Sequence, residues 1–434
     1  MKRYQLANDI ALNVIQTDRF KSALLSVNLI VPVDAATAAK NSLLLRVLKQ
    51  GSANYPSLAA INTRLDDLYA ADLSTRNYKR GEMQVMGFAV DLLDNIYIPD
   101  GTDVLGGSAD MLGELLLHPL FDADGNFTAK IVEREKQSLC DAIRAQINNK
   151  QRYAHNRCIE EMCRGERFAL PLAGTVEEVE AITPAALTER YHALLREARV
   201  EAFFIGRTPA EALAACLDGA FADYPAHTSL AAPTQVVRTA EAVREVTEEQ
   251  NVAQGKLVMG FRSGYAVADP DYLNFMVFNE LFGGSPASKL FVNVREKLSL
   301  CYYCSSSPDS YKGLMFVSSG VAVENKDRAY EEIMVQLEAM RRGDFTADEL
   351  ANAIRSLQSA YRQLTDSPGG MENYYLGRML FGVDLTTEQM EAGFAQVTAA
   401  GVVEAAKRVS LDTVYFLRGP GGQSNEEEDD EDDE

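Results

Sequence analysis

Strand-like and helix-like hydrophobic patterns follow one another twice along the chain. Short apolar runs at Ile10–Thr17 and Ala23–Val33 predict two strands. The period then lengthens, predicting helices over Ala36–Gln50 and Ser57–Tyr69, with Gly51 placed to end the first. A hairpin is expected from Ala71–Lys79 and Met83–Asp91, turning through Arg80-Gly81-Glu82. Helices at Thr102–Leu117 and Asn126–Asn148 follow, then further helix to Glu197 and a strand at Val200–Ile205. The second half repeats the order. A strand at Gly255–Phe261 precedes a helix opening at Asp269-Pro270 and running to Phe282. Gly283-Gly284-Ser285-Pro286 interrupts, and another helix runs to Lys297. The hairpin Leu300–Ser307 and Leu314–Val321 comes next, followed by helices Lys326–Arg342, Thr346–Thr365 and Met371–Phe381, and a last strand Thr413–Leu417.

This repetition predicts an α+β fold of two tandem repeats, each a mostly antiparallel sheet with helices packed on one face. The alternative is two unrelated α+β domains. The expected division is residues 1–206, a linker 207–249 that includes the Ala-Ala-Pro of Thr228–Pro233, residues 250–420, and an acidic tail 421–434. A chain of 434 residues suits two domains of that size.

Composition narrows the function. Formal net charge is −21, and nine of those charges lie in Glu426–Glu434, leaving −12 on the rest. The tail repels itself and is expected to be disordered and solubilising. An acidic body argues against nucleic acid and tolerates basic peptides. No apolar run approaches the roughly 20 residues that span a bilayer, so no membrane partner is expected. The basic start, Met1-Lys-Arg, has no apolar stretch behind it, so no signal peptide is expected. Six scattered cysteines show no disulfide framework, which favours a reducing, cytoplasmic location.

The richest candidate chemistry lies in Ser288–Ser307, where a helix ending near Lys297 passes into a strand from Leu300. Arg295 and Tyr302 flank that joint. A guanidinium can hold a peptide carbonyl, and a phenol can donate to a developing oxyanion. On residue type alone, a surface ion pair and an ordinary sheet tyrosine explain the two equally well. Cys301-x-x-Cys304 falls in the same strand, where residues three apart point to opposite faces, about 10 Å apart. A disulfide or shared metal is therefore not expected there. His155, Cys158 and Cys163 are expected as buried helical groups. Gly283 and Gly284 are either a loop over substrate or a plain helix-helix turn, and no phosphate-binding motif accompanies them. Ala71–Thr75, if it is an edge strand, either awaits an extended peptide or is an ordinary edge.

The chain resembles the insulinase/pitrilysin family of peptidases over most of residues 5–420. The resemblance rests on Ser288-Lys-Leu-Phe291 with Arg295-Glu-Lys297 and Leu300-Cys-Tyr302, on Pro171-Leu-Ala-Gly-Thr175 with Glu180-Ala-Ile-Thr183 and Tyr191, and on Gly283-Gly284. Active members carry His-x-x-Glu-His on the first long helix and a further Glu downstream, with two His binding zinc and the intervening Glu as base. Aligned on Gly51, that motif falls on Ser42-Leu43-Leu44-Leu45-Arg46, and the distal Glu falls on Ala142. By this resemblance Ser42, Leu45, Arg46 and Ala142 are degenerate metal-site positions. The four histidines, His118, His155, His192 and His227, are too far apart in sequence for any His-x-x-x-His pair.

What the resemblance does carry over is the family's Arg and Tyr from the C-terminal repeat, here Arg295 and Tyr302. In two-subunit members these reach the zinc site of a partner across a closed chamber. The resemblance thus implies a non-catalytic subunit of a heterodimeric zinc endopeptidase acting on short or unfolded peptides. Such a chain binds no cofactor itself, and its His-x-x-Glu-His partner holds the zinc. The alternative is a peptide-binding or scaffold homodimer with no proteolytic role.

Overall fold

The structure, a computed structural model, describes residues 1–230 and 233–420. The acidic tail lies outside the described residues. Two compact units divide the chain, and neither is a simple half. The first comprises Met1–Arg144, Leu170–Pro233 and Asp366–Tyr375; the second comprises Ala145–Ala169, Thr234–Thr365 and Leu376 onward.

The first unit is built on strands β1 (Lys2–Gln5), β2 (Ala11–Gln16), β3 (Ser22–Pro32), β4 (Asp72–Arg80), β5 (Met83–Leu93) and β6 (Arg199–Gly206). Their order is β1-β2-β6-β3-β5-β4, and only β2 and β6 run parallel. Period-two alternation decides which face is which. In β3, Leu25, Val27, Leu29 and Val31 enter the main core with Leu43, Leu44 and Leu45 of helix Ala38–Leu48. Ser26 and Asn28 point the other way. There they meet the buried Glu372, which accepts hydrogen bonds from the Ser26 hydroxyl, from Asn28 Nδ2 at 3.0 Å and from the Arg76 guanidinium.

The second unit uses β7 (Arg244–Glu249), β8 (Gly255–Arg262), β9 (Cys301–Asp309), β10 (Leu314–Val321) and β11 (Ser410–Arg418), in the order β7-β11-β8-β10-β9. Again one pair, β7 and β11, is parallel. One face carries the long C-terminal helices. Two of these, Ala347–Gln363 and Thr387–Phe394, open with capping boxes at Thr346/Glu349 and Thr386/Gln389. On the other face, Ala154, Cys158 and Met162 of helix Lys150–Met162 pack on Val258, Phe316 and Tyr415. The helix comes close. A Cβ at Gly260 in β8 would sit 2.7 Å from Met162 Sδ, so a larger residue there would push the Met162 side chain aside.

The fold class read from sequence is therefore found, with an added layer. In each unit the sheet's second face is met by residues from a helical stretch remote in sequence, which the one-face expectation omitted. Amphipathic period reports that a helix has a buried side but not which sheet receives it. Three further departures have local causes. The segment 207–249 carries helix Ala210–Ala220 and strand β7. The helix expected from Asp269-Pro270 starts at Tyr272, because Asp269 is taken by Arg238 at 2.7 and 2.9 Å and by the Ala266 amide. Beyond Asn279 this helix widens into a π-helical turn over Glu280–Gly284.

Helix Lys150–Met162 is tied to β7 through Glu248. This carboxylate accepts from Tyr153 Oη at 2.6 Å, Tyr415 Oη at 2.7 Å, Gln250 Nε2 at 3.0 Å and Arg157 Nε at 3.3 Å. Burial pushes Glu248 up, but these hydrogen bonds outweigh it and hold the carboxyl down at about 2. A folded pKa below the unfolded value of about 4.5 stabilises the fold above pH about 4.5, and that stability drains as pH falls towards about 2. Acid titration followed by circular dichroism should show this loss in wild type and a shallower one in Glu248→Gln. An unchanged acid limb in the variant would remove Glu248 as its source.

Candidate functional site

The joint between helix Leu290–Lys297 and β9 is shaped by a wide, π-type helical turn. The amides of Ser299 and Leu300 close back on Arg295 O and Val294 O, both at 3.1 Å. Ser299 takes a left-handed conformation, φ 49°, and reverses the chain into β9. The reversal returns Tyr302 beside Arg295. Both line a cleft of 490 Å³ with Glu296, Ser299, Leu300 and Cys301. The Arg295 guanidinium lies 4.5 Å from the Phe291 ring centroid, one turn back, which orients it by cation–π attraction. Its contact with Glu296, at 3.4 Å, is a half-exposed pair of little strength. Tyr302 is 72% exposed, and among the described residues no side chain hydrogen bonds to its hydroxyl. The structure thus brings this predicted pair together at one opening, the guanidinium only weakly paired.

The exposure of Tyr302 has a cause in the ladder. Tyr303 pairs with Gly320 and Cys301 with Val321, so Tyr302 is an extra residue, a β-bulge. The bulge also corrects the expectation for the cysteines. Cys301 and Cys304 are both buried, and each thiol lies near enough to shift the other's ionisation, Cys301 down and Cys304 up. Straight-strand parity fails because one residue is out of register. Cys158 and Cys163 are buried thiols as expected, and burial pushes Cys163 up to about 12. His155 packs on the Phe316 ring at 4.6 Å, and burial lowers its pKa.

Gly283 is buried against β9, where a Cβ would lie 2.7 Å from the Ser306 amide nitrogen. Gly284 is exposed at the end of the same turn. Gly283 is a close-packing device between helix and strand.

In the first unit, Ser42, the first of the positions aligned with the zinc motif, sits in a hydrogen-bond network of amides. Ser42 Oγ donates to Leu172 O at 2.6 Å and accepts from Asn77 Nδ2 at 2.7 Å. Asn77 Oδ1 accepts from Gln84 Nε2 at 2.8 Å, and Gln84 Oε1 accepts from Asn41 Nδ2 at 2.8 Å. Arg190 Nε closes the chain on Asn41 Oδ1 at 2.8 Å. Leu45 is buried in the core. Arg46 donates to Ser138 Oγ at 3.1 Å, on helix Ala129–Ala145. Ala142 lies one turn further along and is exposed, and its neighbour Asp141 pairs with Arg144. Asn41, Asn77, Gln84 and Ser138 were not singled out from the sequence. Polar residues at buried positions of apolar runs, as at Asn41 and Gln84, are the signal that could have found them.

These side chains offer a cation a hydroxyl, amides and a guanidinium, a donor set without an ionised ligand and with a positive charge in it, so zinc does not fit here. Among the described residues no group of three or more His, Cys, Asp or Glu is placed to hold a metal ion.

The sequence matches the family described as Peptidase M16 inactive domain over residues 181–357. It is 31% identical over 412 residues to the probable inactive metalloprotease YmfF of Bacillus subtilis (strain 168), covering 95% of this chain and 96% of that one. The chain is an inactive member of the M16 peptidase family. The M16 fold is also evident in a crystal structure of a conserved protein from Enterococcus faecalis V583, with 29% identity, a TM-score of 0.89, and coverage of 98% of this chain and 99% of that one. A more distant M16 relative, the uncharacterized zinc protease YmxG of Bacillus subtilis (strain 168), is 22% identical over 317 residues, 72% of this chain and 75% of that one. M16 membership accounts for the insulinase-like motifs. Among the described residues no helix is long and apolar enough to cross a membrane.

Proposed function

We propose that this chain is the substrate-binding, transition-state-assisting subunit of a two-subunit zinc peptidase acting on short or unfolded peptides in the cytoplasm. The reading rests on one observation: Arg295 and Tyr302 share a cleft, the Arg295 ion pair being weak and the Tyr302 hydroxyl without a side-chain partner among the described residues, while Ser42 is held in a network of amides that ends on the Arg190 guanidinium. Arg295 would donate to a peptide carbonyl, and Tyr302 Oη to the oxygen that gains charge as the carbonyl is attacked. A homologous His-x-x-Glu-His subunit would supply the metal and the base. Among the described residues β4 is the outermost strand of its sheet, beside β5, and such a position suits an extended peptide added as a further strand. One bacterium, Bacillus subtilis, holds both a probable inactive relative and a relative described as an uncharacterized zinc protease, which agrees with such a division. Six free cysteines agree with a reducing compartment.

The test is to co-express the chain with a zinc-bearing M16 relative from its own host and purify through a tag on this chain. The expected result is a one-to-one complex that cleaves an unstructured peptide, where neither subunit does so alone. A homodimer that excludes the relative would favour a scaffold instead.

A further inference from the structure

The bulge at Tyr302 does more than expose a phenol. In a straight strand, Cys301 and Cys304 would stand about 10 Å apart on opposite faces, beyond the reach of any covalent bond. The extra residue breaks that alternation and takes up chain length between them, and both cysteines are buried while Tyr302 is exposed. Both side chains are buried, yet Cys301 also lines the cleft, so a small polar molecule entering beside Arg295 meets one thiol while the second waits behind it. Strand β9 is the edge of its sheet, bonded on one side only, and the bulge lies near its start. This is the part of the sheet most able to adjust for a new bond.

We propose that Cys301 and Cys304 form a redox-active dithiol, which a peroxide entering the Arg295 cleft oxidises to a disulfide across the Tyr302 bulge. The Cys301 thiolate attacks one peroxide oxygen; the O–O bond breaks and the leaving hydroxide takes up a proton to become water. Cys301 is now a sulfenic acid. The Cys304 sulfur, losing its proton, attacks the Cys301 sulfur; the S–O bond breaks and a second water leaves. Two thiols and one peroxide thus become one disulfide and two waters, with two electrons passing from sulfur to oxygen.

The surroundings assign the order of events. The neighbouring Cys304 thiol favours the Cys301 thiolate, the Arg295 charge adds to it, and burial opposes them without winning. Ser319 is the ladder partner of Cys304 on β10. Of the six cysteines, Cys301 alone is shifted towards its thiolate; the other five are pushed up, Cys216 to about 11 by burial. Cys301 is therefore the attacking sulfur and Cys304 the resolving one. The inference stands on this chain alone and does not require a partner subunit.

The test treats the full-length protein with hydrogen peroxide, blocks remaining thiols with an alkylating agent, and maps the cysteines by mass spectrometry. The peptide carrying Cys301 and Cys304 should lose two hydrogens, refuse alkylation, and regain both thiols in dithiothreitol. Cys301 should be consumed at least about tenfold faster than Cys216. In Cys304→Ser the reaction should halt at a sulfenic acid on Cys301 that a dimedone probe traps. Both thiols remaining alkylatable in the wild-type protein, oxidation falling first on Cys216, or Cys301 passing to sulfinic acid without a cross-link would each overturn the proposal. These readouts use wild-type protein, so an unstable variant does not shield the idea.

Discussion

Arg262→Ala is expected to lower the stability of the second unit by about 3–5 kcal/mol, the cost of leaving buried carboxylates without their counter-charge. Arg262 lies on β8 with a buried side chain. Its Nε donates to Asp412 Oδ2 at 2.8 Å, and its Nη2 donates to Glu166 Oε1 at 2.8 Å and Met162 O at 2.9 Å. Lys312, also buried, pairs with Glu166 Oε2 at 2.6 Å. Burial alone would raise the Glu166 carboxyl; the hydrogen bonds from Arg262 and Lys312 outweigh it and leave the group below the ordinary range. With Arg262 gone, Lys312 still serves Glu166, but Asp412 keeps only the Thr413 hydroxyl at 2.7 Å. Urea unfolding followed by circular dichroism measures the loss, since the chain has no Trp for fluorescence. Arg262→Met combined with Asp412→Asn should recover part of the deficit, because it removes the stranded charge rather than one partner. Equal losses for single and double variants would show that the charge pairing is not what holds these elements together.

Arg295→Ala should lower the peptide-cleaving kcat of the assembled two-subunit enzyme by about 10²- to 10³-fold, or roughly 2.7–4 kcal/mol, the usual cost of one oxyanion-type donor. Arg295→Lys should recover little, because a point donor cannot reproduce the planar fork stacked on Phe291. Tyr302→Phe should lower kcat with KM nearly unchanged, since its hydroxyl is assigned to charge that appears only in the transition state. Neither change should affect folding, because the Tyr302 ring is exposed and the one ion pair of Arg295 is weak. Unchanged cleavage by either variant would remove that residue from the proposed role.

The repeated strand, helix and hairpin order was legible because it is written in local periodicity. Strand β3 alternates Leu25, Val27, Leu29 and Val31 with Ser26 and Asn28, and helix Lys326–Arg342 has the bounds its pattern predicts. Strands β1 and β7 escaped notice because they are short, polar and largely exposed, held by their neighbours more than by their own burial. The partnership of Glu372 with Ser26 and Asn28 spans more than three hundred residues, and no local window contains it. The Arg295 and Tyr302 positions came from motif spacing, whereas the bulge that directs Tyr302 outward and pairs the thiols is a register shift invisible in composition. The loss of zinc ligands at Ser42, Leu45 and Arg46 could be read residue by residue. The network that replaces them could not, because Asn77, Gln84 and Leu172 reach Ser42 only through the tertiary fold.

The account depends on a division of labour in which this polypeptide has no catalytic zinc of its own. The most direct measurement is to purify the chain alone, incubate it with excess zinc, remove free metal by gel filtration, and determine bound zinc and peptide turnover together. The account predicts no retained zinc and no cleavage, with cleavage appearing when a His-x-x-Glu-His relative is added. Stoichiometric zinc accompanied by peptide hydrolysis from the lone chain would contradict it.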